Sequence, residues 1–205
     1  LTPIGRGWMV LSYGRGHQLV SSVALAWGAA LISAALGDVP LPMPPIFSVI
    51  TPPVTIDAVL ALLVVAAILR SLTTPLAYFE EASSKRWRAV DIAVIVVLGA
   101  PSFWVAQASG EASMLARDVA IYLVLGIVIA RRSSVGGAEI GLSMWLVAQC
   151  AVYGVWDGPV GQIFTIIVRD SPAEIAWPIA GVALEAWVIF GGKIKAWSGG
   201  ITLSV

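Results

Sequence analysis

Charge is scarce in this chain. Aspartate, glutamate, lysine and arginine together supply 12 % of its 205 residues, twelve basic against twelve acidic, for a formal net charge of zero. A soluble domain usually carries about 25 % charged residues, so the composition is that of a membrane protein. The neutral balance gives no reason to expect a nucleic acid partner. One cysteine, Cys150, excludes an intramolecular disulfide and any cysteine-based metal site. One histidine, His17, excludes the paired axial histidines of a b-type haem within this chain alone. No GxxxxGK[ST] run is present, so the chain has no P-loop of its own for ATP, and HExxH and GxSxG are absent too. No catalytic residue, cofactor or metal site is assigned, and the chain reads as a non-enzyme.

What is abundant is apolar. Hydrophobic residues make up 59 % of the sequence and the mean hydropathy is +0.91. The apolar runs are about as long as a bilayer crossing and divide the chain into six predicted spans, near 17–36, 55–72, 89–108, 115–130, 140–156 and 175–191. The first is long enough to read as a retained helix and not a signal peptide. The expected fold is all-α, a polytopic bundle of six transmembrane helices over 17–192. An interfacial segment (1–16) precedes it, and a cytoplasmic tail (193–205) follows. Segment 1–16 sets Trp8 and Tyr13 beside Arg6 and Arg15, a composition suited to the headgroup layer.

The external loops are predicted at 37–54 and 157–174. Six of the twelve prolines, at 40, 42, 44, 45, 52 and 53, crowd the first of them. Proline cannot donate to a helix ladder, so this stretch is expected to be extended or broken. Gly99 and Pro101 predict a kink in the third span. A Ser-Ser-Val-Gly-Gly turn after Arg132 is expected to lead into the fifth.

Basic residues fix the orientation. With the N-terminus inside, Arg6, Arg15, Arg70, Lys85, Arg86, Arg88, Arg131, Arg132, Lys193 and Lys195 are cytoplasmic, and only Arg117 and Arg169 lie outside. Each outside arginine adjoins an aspartate, Asp118 or Asp170. A ten-to-two split predicts both termini in the cytoplasm.

The densest charged stretch, 70–91, then faces the cytoplasm between spans two and three. Within its 73–91 portion, Thr74 and Pro75 read as an N-cap and first helical position. Glu81 and Lys85 stand one turn apart in the favourable order, which predicts a short helix at the membrane surface. Phe79, Glu80, Glu81, Lys85, Arg86 and Arg88 are the candidate contacts for a cytoplasmic partner. A solvated connection between two spans is the alternative.

Inside the membrane three polar residues stand out. Glu185 lies near the middle of the sixth span, where a carboxylate costs roughly 2.5–3.5 kcal/mol and must face protein or water. Gln149 lies at comparable depth in the fifth span, with Tyr153 one turn outward. Antiparallel neighbours would let either bond Glu185. The group is a polar element of a substrate or proton path, or a neutral acid that locks two helices together.

This plan, with residues 5–16 before the first span, 74–91 between the second and third and 158–174 between the fifth and sixth, resembles the membrane subunit of ABC-2-type transporters. The run Glu80-Glu81-Ala82-Ser83-Ser84-Lys85-Arg86, continuing to Arg88 and Asp91, is similar to the coupling loop of such subunits. The resemblance implies an interfacial N-terminal helix, a coupling helix that meets an ATPase, and a re-entrant segment before the last span. It implies a permease-like subunit in a bacterial plasma membrane, moving a hydrophobic or amphipathic substrate with ATP hydrolysis supplied in trans, as a homo- or hetero-oligomer. The alternative from another class is a non-catalytic membrane subunit that anchors or stabilises a larger complex.

Overall fold

In a computed structural model the described residues are 19–36, 39–42, 52, 54–72, 87–108, 114–155 and 164–165, with backbone alone at 87–91 and 105–108. They form five α-helices: α1 (Leu19–Leu36), α2 (Ile56–Ser71), α3 (Trp87–Ala108), α4 (Met114–Arg132) and α5 (Val135–Val152). Every described element is helical apart from one isolated β-bridge, so the all-α class holds. Helices α1 and α5 are each long and apolar enough to cross a membrane. Helix α2, at 16 residues, is shorter, and α4 carries Arg117, Asp118, Arg131 and Arg132 in its outer turns.

Helix α2 is the hub and packs against all four others. Its sequence is apolar on every side, the pattern of a helix without a solvent face, and it buries Ala58, Leu60, Ala61, Val64, Val65, Ala67, Ile68 and Leu69. Its largest contact is with α4, which runs in the same direction. Asp57 at the start of α2 meets Leu115 at the start of α4, while Val65 and Leu69 meet Gly126 further along. Gly126 is the point of closest approach. A Cβ there would stand 2.9 Å from Leu69 Cδ1 and 3.2 Å from Leu142 Cδ1. The missing side chain is what lets α4 lie between α2 and α5.

Two polar ties accompany this packing. The Ser71 hydroxyl donates to the Ala67 carbonyl, and the Ser22 and Ser71 hydroxyls bond at 2.8 Å between α1 and α2. Arg70 in the last turn of α2 grips Glu139 of α5 with two parallel bonds, Nη2 to Oε2 at 2.8 Å and Nε to Oε1. The Arg70 side chain is largely exposed, so solvent limits this fork to about 0–1 kcal/mol.

The connection between α4 and α5 is tighter than the expected five-residue turn. Ser134 adopts an extended backbone and its hydroxyl accepts from Gly137 N at 3.1 Å, so Val135, Gly136 and Gly137 already belong to α5. A serine N-cap, worth about 1 kcal/mol, offsets the poor helix propensity of the glycine pair. At the other end α5 stops at Val152 because Gly154 takes φ 77°, short of the expected Trp156. Helix α3 begins at Trp87, two residues before the predicted span, since no glycine or proline interrupts 76–98. It carries Pro101 within its length.

The proline-rich connection is held at its ends. Pro40 and Thr55 form an antiparallel bridge, in which Leu41 N donates to Val54 O at 2.7 Å and Ile56 N to Val39 O at 3.2 Å. Both donors flank Pro40, which has none to give. The extended backbone expected here is present at 39–42; residues 43–51 and 53 lie outside the described residues, as do segments 1–16, 158–163 and 166–205.

Gly126→Leu should lower the thermal unfolding midpoint in detergent, by the equivalent of about 1–3 kcal/mol for an overpacked core. Gly99→Leu, where a Cβ would meet nothing within 4 Å, should leave the midpoint near the parent's. Equal effects of the two would show that the α2–α4 approach is not set by Gly126.

Candidate functional site: a buried charge cluster between α2 and α4

The first turns of α2 and α4 lie side by side and bring three ionisable side chains out of solvent. Asp57 is buried, and Arg117 and Asp118 are 3 % and 0 % exposed. Each is held differently. Asp57 Oδ2 accepts from Leu115 N at 3.0 Å and so caps α4 from a neighbouring helix. The first amides of a helix have no partner within it and carry the positive end of the helix dipole, which gives a carboxylate there both a donor and a favourable field. Arg117 Nε donates to Asp118 Oδ1 at 2.8 Å. Consecutive residues on a helix diverge, so this bond requires the two side chains to turn towards each other over Leu115 and Val119.

The Asp57 carboxylate also acts on that of Asp118 by repulsion. The formal count is two acids to one guanidinium. The dipole of α4 supplies about half a positive charge at its N-terminus, which leaves roughly half a negative charge uncompensated when both acids are ionised. Asp118 Oδ2 has no hydrogen-bond partner, although it is buried.

One turn further along α4, about 6 Å at 1.5 Å per residue, stands Tyr122. It is fully buried, its hydroxyl has no hydrogen-bond partner, and it lies within electrostatic reach of Asp118 and of Cys150 on α5. Its ring meets Trp145 edge-on with centroids 5.8 Å apart. Gln149, next to Cys150 on α5, is fully buried as well. The α4–α5 hairpin turns at Ser133 and Ser134, so Gln149 and Asp118 stand at nearly the same height above it. A polar column therefore runs down the α4 face from the end of the bundle towards its middle.

Of the residues singled out from sequence, Gln149 is buried on α5 as expected for a polar side chain inside a span. Tyr153 is the C-cap of α5, half-buried against the core. Glu185, Phe79, Glu80, Glu81, Lys85 and Arg86 lie outside the described residues. Arg88 falls in the first turn of α3, with its backbone described alone. Asp57, Arg117 and Asp118 were not singled out as a site, although Asp118 had been noted beside an external arginine. Their signal was an acid in the opening turns of two helices that start on the same side. Among the described residues no group of three or more His, Cys, Asp and Glu is placed to hold a metal ion. No family model, curated protein or solved structure matches the chain.

Arg117→Met should be strongly destabilising, by about 3–5 kcal/mol, because it strips the cation from buried acids. Asp118→Asn should cost far less, since the amide keeps an acceptor for Arg117 and Asp57 still balances the guanidinium. Thermal unfolding of the two variants checks the order, and an Asp118→Asn variant as unstable as Arg117→Met would contradict this account.

Proposed function

We propose that the chain is a six-span integral membrane protein of a bacterial plasma membrane, with both termini cytoplasmic, and that it acts as a permease-like subunit. In this reading it moves a hydrophobic or amphipathic substrate, an ATPase bound in trans supplies the energy, and the 73–91 segment receives that ATPase. The observation that carries the reading is the buried charge cluster inside a bundle with apolar outer faces. Ile140, Met144 and Val147 recur at helical spacing on one side of α5, with Met144 67 % exposed, and Val20, Leu31, Val96 and Trp104 are exposed on α1 and α3. A water-soluble monomer seldom exposes so much apolar surface, whereas lipid accepts it. Ionisable groups within such a bundle each cost several kcal/mol and are kept where substrates or ions pass. The ten-to-two distribution of basic residues supports the orientation.

A second reading keeps the topology and drops transport. The exposed Ile140, Met144 and Val147 face of α5 also suits a helix of a larger complex, which favours an anchoring or stabilising subunit.

Two measurements separate these readings. A cysteine at Ser84, introduced on a Cys150→Ser background, should resist an impermeant thiol reagent in intact cells and react in inverted vesicles. Labelling from outside would overturn the topology. Native purification should bring down an ATPase, and Arg86→Glu with Arg88→Glu should release it while the membrane level of the chain stays unchanged. Co-purification of integral membrane chains without any ATPase would instead establish the anchoring role.

A further inference from the structure

We infer that Asp118 is a proton-binding site, its Oδ2 taking up and releasing one exchangeable proton inside the bundle. This goes beyond the permease reading and does not depend on it, since an anchoring subunit with the same cluster would hold the same proton.

Three observations carry it. The cluster holds two acids and one guanidinium, so a single added proton makes it neutral. Of the two acids, Asp57 has the better reason to stay ionised, because one of its oxygens accepts an α4 amide at the positive end of that helix. Asp118 lies farther along α4, and its Oδ2 is buried without a partner while Oδ1 already accepts from Arg117. A carboxylate oxygen left bare in a buried site is costly, and a proton there removes the charge. The nearby hydroxyl of Tyr122, also without a partner, supplies a polar group one turn inward.

A proton suits this place better than a metal ion. Asp118 is enclosed by Leu115, Ala116 and Val119, all buried, and the described acids do not assemble a three-ligand group. The titratable groups that face it among the described residues are Asp57 from α2 and Arg117 and Tyr122 from α4, with Cys150 of α5 beside Tyr122. In the uptake step hydronium gives its proton to Oδ2, one O–H bond forms and one breaks, and water is left. No electrons change hands, and the cluster goes from one net negative charge to none.

The test is infrared spectroscopy of the purified full chain in lipid nanodiscs at neutral pH. The protonated-carboxyl stretch should shift on exchange into heavy water, and Asp118→Asn should lose the equivalent of one carboxyl from it. Glu139→Gln, at the far end of the bundle, should lose none. An Asp118→Asn spectrum identical to the parent's in that region overturns the inference. Tyr122→Phe gives a second readout should Asp118→Asn fail to insert: the Asp118 band should move once the neighbouring hydroxyl is gone, and an unmoved band overturns the inference as well. Replacing choline chloride with sodium chloride at fixed pH should leave the band unchanged. Its loss in sodium would make the ligand a metal cation and sink the proton assignment.

Discussion

The contact between α2 and α4 is the constraint on which the rest of the described bundle depends. Helix α2 has almost no face left for solvent or lipid, and α4 is its largest neighbour. The two run parallel, tied at one end by the Asp57 bond to Leu115 N and pressed together midway where Gly126 has no side chain. The remaining helices attach to this pair. Helix α1 joins α2 through Ser22 and Ser71, and α5 joins it through Arg70 and Glu139. The apolar packing sets the distance between the helices and the polar bonds set their register. A sliding motion of one turn along α4 would break the Asp57 cap and drive Leu69 against a side chain where Gly126 now stands.

Burying Asp57, Arg117 and Asp118 beside this contact works against stability taken alone. Each ion loses hydration worth several kcal/mol, and only good geometry recovers it. Part of the geometry is good: Asp57 has an amide donor and a helix dipole, and Arg117 has Asp118. Part is not, as the bare oxygens of Asp118 and Tyr122 show. A bundle selected only to fold would replace these groups with leucine or phenylalanine. Their retention beside an otherwise apolar helix pair locates the chemistry of this molecule at the α2–α4 seam.

Much of the architecture was legible in the sequence, for a simple physical reason. Helices α1 and α2 follow uninterrupted apolar runs, and their ends fall within two residues of those predicted. The start of α5 was misjudged because Gly136 and Gly137 look like turn residues, and the Ser134 cap outweighs them. Gln149 was recognisable as buried because an amide in the middle of an apolar span has nowhere else to go. The charge cluster was harder to foresee. Asp57 and Asp118 lie 61 positions apart in the chain, and each alone resembles the polar edge of a span. Only the pairing of parallel helices brings them together, and pairing is long-range information that local periodicity does not contain. Arg70 likewise belongs by sequence to the charged island, yet its carboxylate partner, Glu139, comes from the opposite side of the α4–α5 hairpin.

The bridge between Pro40 and Thr55 has a consequence for how this molecule tolerates change. It fastens the two ends of the proline-rich connection directly to each other, at the points where α1 has ended and α2 begins. The spacing of the two helices is thereby uncoupled from the length of chain between those ends. Doubling the length of a closed loop costs only about 0.6 kcal/mol of additional entropy. An epitope or a fluorescent reporter inserted between residues 43 and 51 would thus leave the separation of α1 and α2 as it is. The same clasp leaves this stretch free to diverge in length and composition while the bundle beneath it stays constant.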